Sequence, residues 1–259
     1  MIDKDKVSVY THLFYKEPSI YLLDKIREHY DGDINISLNE NGKSNKDILS
    51  YAENIFKDVR AIEVNNRGND QYAFFQNYKK NKCDKEWTLY CHDKAIQRID
   101  WLDEILDPIL INKDKVNELM CSDETGMISS SVRPHYQTMM TEDSLTEMSK
   151  SQNFDSRLSI IQARHTLTWY RELQYILLTN TGFIDVENLN PSFTAGNMFL
   201  GRSSVVQWSH NCVHESYFEN YYRNDGNVEH AMERFYYYVS YCLKYKNLFI
   251  NHDGEIQDD

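Results

Sequence analysis

An α/β fold built on a mostly parallel central sheet, flanked by helices and carrying a helical insertion, is predicted by three features of the 259-residue sequence. Runs with strand-like alternation or continuous apolar character recur through its first third. Apolar residues at helical spacing separate them, and the connections between them are short. A repeated strand–helix–strand order of this kind pairs its strands in parallel through right-handed crossovers.

Val7-Ser8-Val9-Tyr10 alternates as a strand does and ends in the polar Thr11-His12. Pro18 suits the first turn of the helix that follows, whose Ile20, Leu23 and Ile26 recur on one face. Asp33 to Leu38 alternates again, Ile48, Ala52, Ile55 and Phe56 mark a second helical face, and Val59 to Val64 forms a third strand. Asp70 can cap the next helix, which packs Phe74, Phe75 and Tyr78 on the sheet. Trp87 to Cys91 reads as a buried fourth strand ending in His92-Asp93-Lys94. A helix through Ile99, Leu102, Ile105 and Leu106 is stopped near Pro108.

Gly126 to Ser131 reads as another strand, and Arg133-Pro134-His135-Tyr136 as the loop leaving it. Between Thr141 and Asn180 the pattern turns helical, with Leu158, Ile161, His165, Trp169, Leu173 and Ile176 on one stripe; this is the insertion. Phe193 to Leu200 reads as one strand bent at Gly196. The last helix begins after Asn224-Asp225-Gly226 and buries Val228, Ala231, Met232, Phe235 and Val239. Residues 1–251 are expected to form one domain, followed by a frayed acidic tail over 252–259.

Lys plus Arg number 28 against 40 Asp plus Glu, a net charge of -12, so the long-range field argues against nucleic acid as a polymer partner. No apolar run approaches the roughly 20 residues that span a bilayer. The charged start Met1-Ile2-Asp3-Lys4-Asp5-Lys6 lacks the apolar segment of a signal peptide. The expectation is a cytoplasmic chain without a transmembrane segment, peripheral membrane association being left open. Its five scattered cysteines lack the close pairing of a zinc or redox motif and read as reduced thiols.

Three stretches carry candidate chemistry. The turn Asn65-Asn66-Arg67-Gly68-Asn69-Asp70 joins a β-branched strand to a helix, where open α/β sheets hold ligands. Asn66 offers an amide for a base or ribose edge, Arg67 a guanidinium for phosphate, Gly68 an open backbone and Asp70 a carboxylate for ribose hydroxyls. The same turn reads equally as an ordinary strand-to-helix turn with an Asp cap. At His92-Asp93-Lys94, Lys94 offers positive charge to phosphate and Asp93 either metal ligation or proton transfer. The plainer reading is a solvated strand end. Asp225 stands at a helix start beside His230, Glu233 and Arg234, a catalytic carboxylate with basic groups or simply a capped, charged helix face. A metal site from His12, His92, His135 and His230 has no ligand-like spacing to support it.

Taken in order, Val7 to Tyr15, Asn66-Arg67-Gly68-Asn69-Asp70, His92-Asp93-Lys94, Gly126-Met127-Ile128, Ala195-Gly196-Asn197-Met198-Phe199 and Asp225-Gly226 with His230 to Arg234 resemble the rhamnan synthesis protein F family. The likeness is weakest between Thr141 and Asn190. That family is linked to bacterial cell-wall and capsular polysaccharide assembly, with related domains in large viruses. The resemblance implies a GT-A-like, Rossmann-type glycosyltransferase that uses a UDP-, GDP- or dTDP-sugar and a glycan acceptor. On it, residues 1–135 hold the nucleotide sugar and 136–251 supply the insertion and the acceptor side. Thr11, His12, Asn66, Arg67, Gly68, Asp70, His92, Asp93 and Lys94 fall on the donor side. Gly196, Asn197, His230 and Arg234 fall by the diphosphate and acceptor. Such enzymes often carry Asp-x-Asp after the fourth strand to hold Mn²⁺ or Mg²⁺; here that place reads His92-Asp93-Lys94, which leaves Asp93 as the metal candidate and favours metal-independent action, with Lys94 and Arg67 or Arg234 neutralising the diphosphate. Asp225 is the first choice of catalytic base, with Asp70 and Asp93 as rivals. A catalytically inactive glycan- or nucleotide-binding module is the second reading, and a metal-dependent hydrolase using His92 and Asp93 the third.

Overall fold

The structure, a computed structural model, describes residues 1–65, 69–82, 84–133, 135–138, 141–150, 154–181, 191–218 and 227–258. Its first half is the expected alternation: β1 (Val7–Leu13), α1 (Lys16–His29), β2 (Ile34–Asn39), α2 (Asn45–Ile55), β3 (Val59–Val64), α3 (Asn69–Lys80) and β4 (Trp87–His92). β1 pairs in parallel with β2 on one side and with β4 on the other, and β2 with β3, so this block of the sheet is ordered 3-2-1-4.

α4 (Asp100–Ile111) and α5 (Lys113–Met120) follow, then β5 (Thr125–Ser130), β6 (Tyr136–Thr138), α6 (Glu142–Ser149), α7 (Phe154–Thr181), β7 (Ser192–Thr194), β8 (Phe199–Arg202), α8 (Ser203–Asn211), α9 (Val228–Cys242), β9 (Lys246–Ile250) and β10 (Ile256–Asp258). β8 inserts antiparallel between β4 and β5, β9 runs parallel to β5, and β10 closes the edge antiparallel to β9. The result is an eight-stranded, mostly parallel sheet, with β6 and β7 forming a separate two-stranded one.

Strand alternation divides the core between the two faces of the sheet. Trp87, Leu89 and Cys91 join Val7 and Val9 in a cluster with the apolar faces of α1, α2, α4 and α5. Tyr10 and Tyr90 point the other way, into an aromatic cluster with Phe74 of α3, Val205 of α8, Phe235 of α9 and Leu173 of α7. Arg202 pins β8 to its neighbours: it lies between the rings of Trp87 and Tyr245, 5.0 Å from each centroid, donates to Thr125 O at 2.6 Å and Ser122 O at 2.7 Å, and pairs with Glu86.

Four local expectations are corrected. α4 runs through Pro108 instead of stopping there. Proline leaves the carbonyl four residues back without its amide partner, and Ser130 Oγ supplies the missing donor to Glu104 O at 2.9 Å. Phe193 to Leu200 is two strands in two sheets, joined through Gly196 (φ 98°) and Asn197 (φ 55°), left-handed conformations that reverse the chain. The buried stripe of α7 is Ile160, Leu167, Tyr170, Leu173 and Leu177, whereas His165 is exposed and Ile161 is 52% exposed. Finally, 256–258 is a paired edge strand and not a frayed tail, with Lys246 Nζ 3.9 Å from Asp258.

Candidate functional site

Strand order 3-2-1-4 puts the switch point of the parallel block between β1 and β4, since the chain moves outward from β1 on one side and then crosses to β4 on the other. Ligands of open α/β sheets sit over the carboxyl ends of the strands at such a point. The last register partners there are His12 and His92. Both lie on the face shared with Tyr10 and Tyr90, because alternate strand residues share a face, and this is the face that α3 covers.

α3 brings Asp70 in its first turn to meet them. The Asp70 carboxylate, 22% exposed, lies 3.6 Å from His92 Nε2, accepts from Asn197 Nδ2 at 3.2 Å and stands 3.3 Å from the Tyr90 hydroxyl. The Tyr90 hydroxyl also donates to Asp70 O at 2.9 Å, which fixes the start of the helix against β4. Burial works against the carboxylate's charge, but His92, Lys94 and His12 outweigh it and hold the pKa below its ordinary value. Asp70 is therefore an oriented, ionised acceptor at neutral pH.

His92 is the hinge of the cluster. Its Nδ1 lies 2.9 Å from Asp93 O, and its Nε2 2.8 Å from Gly196 O and 3.1 Å from Lys94 Nζ. Burial pulls its pKa down to about 4 against the pull of Asp70, so the ring is neutral at pH 7 and carries one proton. With that proton on Nδ1, Nε2 accepts from Lys94; with it on Nε2, the ring donates to Gly196 instead. Lys94 is itself lowered by burial, while Asp70, Glu233 and Asp93 work to raise it. His12 is likewise lowered by burial, and its Nδ1 is 3.1 Å from Ser37 O.

Asp93 has a different part from the one its sequence position suggests. Its Oδ2 accepts from Phe14 N at 2.8 Å, Tyr15 N at 2.6 Å and Ser19 Oγ at 2.8 Å, clamping the loop between β1 and α1 to the end of β4. Burial pushes its pKa up to about 6, although those three donors pull the other way. The three protein donors fill Asp93 Oδ2, and Asp70 is ringed by Lys94 and two imidazoles. Among the described residues no three His, Cys, Asp or Glu side chains group as metal ligands.

Of the remaining candidates, Thr11 is not at the crevice. It is a register partner of Cys91 on the opposite face, with 1% of the residue exposed. Arg234 lies 4.4 Å over the ring of Phe193, donates to His230 O and stands 3.8 Å from Glu233, so it reaches β7 and not Lys94. Asn66, Arg67, Gly68 and Asp225 lie outside the described residues.

Three groups at the same edge escaped the sequence reading. Tyr90 is two residues before His92 and so shares its face, a signal that the strand period carries. Glu233, whose charge reaches Lys94, was grouped with Asp225, His230 and Arg234 and not with this edge. Trp101 of α4 packs edge-on against His135 at 4.8 Å, and His135 Nε2 is 2.6 Å from Glu104 Oε2; only the chain's tertiary path joins these. Elsewhere, two depressions of about 390 and 360 Å³ flank α3 around Phe75, Lys79 and Val213. Neither is lined by a switch-point residue, and the convergence of polar groups locates the candidate site better than open volume.

Fold and site together define an α/β protein with a polar crevice at the switch point of its parallel block. No family model matches the chain, and no curated protein matches it.

Proposed function

We propose that this chain is a glycosyltransferase that moves a sugar from a nucleotide-diphosphate donor to a glycan acceptor hydroxyl, with the nucleotide over the carboxyl ends of β1 and β4. The resemblance to the rhamnan synthesis protein F family supplies the chemistry. The observation that carries the location is the Asp70 carboxylate, held ionised and oriented by Asn197 beside His92 and Lys94 at the switch point. An oxygen fixed in this way suits the hydroxyls of a ribose or sugar, and Lys94 suits phosphate. A depressed pKa makes Asp70 a hydroxyl anchor more than a proton acceptor. Asp225 remains the proposed base for deprotonating the acceptor, with metal-independent neutralisation of the diphosphate.

One observation favours the inactive binding module as second reading: the single carboxylate left at the Asp-x-Asp place is committed to the backbone of the β1–α1 loop. A thermal-shift panel of UDP, GDP and dTDP, with and without Mn²⁺ or Mg²⁺, followed by transfer assays with the matching nucleotide sugars, separates the readings. Stabilisation with product supports the transferase, and stabilisation without product supports the module. If no nucleotide shifts the melting temperature, the nucleotide site falls. Asp225→Asn should abolish transfer and leave nucleotide binding nearly intact; normal turnover in that variant would remove Asp225 as the base.

A further inference from the structure

Two cations share the ring of Trp101. Lys94 Nζ lies 5.6 Å and the Arg98 guanidinium carbon 5.0 Å from its centroid. Lys94 follows the end of β4, Arg98 ends the short 3-10 turn Ile96–Arg98, and Trp101 opens α4, so eight consecutive residues bring all three together. Like charges gathered at one ring repel, and Arg98 accordingly works to lower the Lys94 pKa.

Among the described residues neither cation forms an ion pair, although the chain holds 40 acidic residues against 28 basic ones. Asp70, Glu233 and Asp93 act on Lys94 through their charge without pairing with it, and acidic side chains of α4 are engaged elsewhere. Asp103 and Asp107 of α4 both bind Lys25, at 2.8 and 2.5 Å, and Glu104 faces His135. Cation–π attraction holds the positive groups without using up their N–H donors, of which a guanidinium has five and an ammonium three. Lys94 is also oriented from behind, through the 3.1 Å contact with His92 Nε2. Lys94 is half-buried and Arg98 exposed, which leaves the pair one fixed and one reachable member.

We propose that Lys94 and Arg98, both set against the Trp101 ring, form an anion site for the diphosphate of the nucleotide donor. Arg98 offers paired donors to one phosphate and Lys94 a compact charge to the other. Together they carry the neutralisation that a divalent ion would otherwise bring. The anion site rests on the Lys94–Trp101–Arg98 arrangement, and only the identity of the anion as a nucleotide diphosphate rests on the function proposed above.

Calorimetric titration of the full chain with inorganic pyrophosphate, at low ionic strength and without divalent metal, tests it. Wild type should bind. Arg98→Ala should weaken binding by about tenfold or more, the contribution of one charge-assisted hydrogen bond, and Arg98→Lys should fall between them. The melting temperature of Arg98→Ala should stay at the wild-type value, because Arg98 is exposed. Absence of metal-free pyrophosphate binding by wild type overturns the proposal, as does equal binding by wild type and Arg98→Ala. UDP, GDP and dTDP complete the test. If pyrophosphate binding depends on Arg98 but no nucleoside diphosphate binds more tightly than pyrophosphate, the anion site stands and the nucleotide reading falls. If a nucleoside diphosphate binds wild type and Arg98→Ala alike, the nucleotide reading stands and this site falls.

Discussion

His210 should make the fold acid-sensitive, and the size of the effect follows from its surroundings. The imidazole is packed among Phe74, Phe75 and Tyr78, with ring centroids 4.9, 5.5 and 5.1 Å away. Its Nε2 is 3.0 Å from the Tyr236 hydroxyl, which donates its own proton to Gln71 Oε1 at 3.0 Å. Nε2 must therefore be the protonated nitrogen, and Nδ1, buried and without a partner among the described residues, the bare one. Protonating Nδ1 would bury an unpaired N–H, and burial accordingly holds the pKa down to about 3. The unfolded chain binds this proton near pH 6.5 and the folded chain does not, so stability falls as pH drops through that value. The loss reaches ~2 kcal/mol at pH 5. His92, with its pKa near 4, adds a similar ~2 kcal/mol in the same direction. Asp93 opposes them: its folded pKa, about 6, lies above its unfolded one, and protonation returns ~1 kcal/mol by pH 5. His12 and His29, both lowered by burial, act with the other histidines. The net loss from pH 7 to pH 5 is then ~3 kcal/mol or more. In His210→Leu it should shrink by ~2 kcal/mol, whatever the substitution itself costs, because each variant is compared with itself at two pH values. Urea unfolding followed by tryptophan fluorescence measures both. An undiminished pH loss in His210→Leu would refute the argument.

Asp93→Ala strands three donors and should cost about 3 kcal/mol in urea unfolding, with nucleotide affinity falling as the β1–α1 loop loosens; an unchanged midpoint contradicts the clamp. Gly196→Ala forces a side chain onto a φ of 98° and puts its Cβ 2.8 Å from Ile105 Cδ1. It should cost roughly 1–3 kcal/mol and weaken ligand binding by moving the loop that holds His92 and Asn197, read by parallel denaturation and thermal-shift titration. Ser130→Ala should cost about 1 kcal/mol by stranding Glu104 O, and less when Pro108→Ala returns an amide donor to α4. A double-mutant cycle with no coupling between positions 108 and 130 would contradict that pairing.

The parallel block was legible because its signals are local. Val59–Val64 and the run from Trp87 carry strand composition within themselves, and Pro18 sits in the first turn of α1 as its chemistry requires. The second half was harder for a physical reason: its strands are short and their partners distant in sequence. β8 has four residues and takes its place only by pairing with both β4 and β5. On α7 the apolar residues spread around the helix, so periodicity chose the stripe of Ile161 and His165 where packing chose that of Leu167 and Tyr170. The site divides in the same way. Asp70, His92 and Lys94 are adjacent to strand ends and could be found by position, whereas Asn197 on Asp70 and Trp101 under Lys94 depend on how the loops return over the sheet.

The fate of Asp93 shows why a motif position does not fix a role. A carboxylate after the fourth strand could face the crevice or the backbone, and the choice depends on where unpaired donors lie. The loop from β1 to α1 presents the amides of Phe14 and Tyr15 just ahead of a helix whose flanking residue Tyr15 makes no side-chain cap. Those amides need an acceptor, and Asp93 is the residue within reach, since its own amide already donates to His12 O at 3.1 Å. Once its Oδ2 is committed there, the charge facing the crevice from this segment is that of Lys94. One consequence reverses the usual logic of the position: the segment 92–94 brings positive charge toward a ligand, and the carboxylate that remains exposed to it, Asp70, comes from the helix after β3. An anion bound here would therefore meet side chains of the β4–α4 loop, and a hydroxyl would meet α3, so the proposed nucleotide sugar would lie with its phosphates toward Lys94 and its hydroxyls toward Asp70.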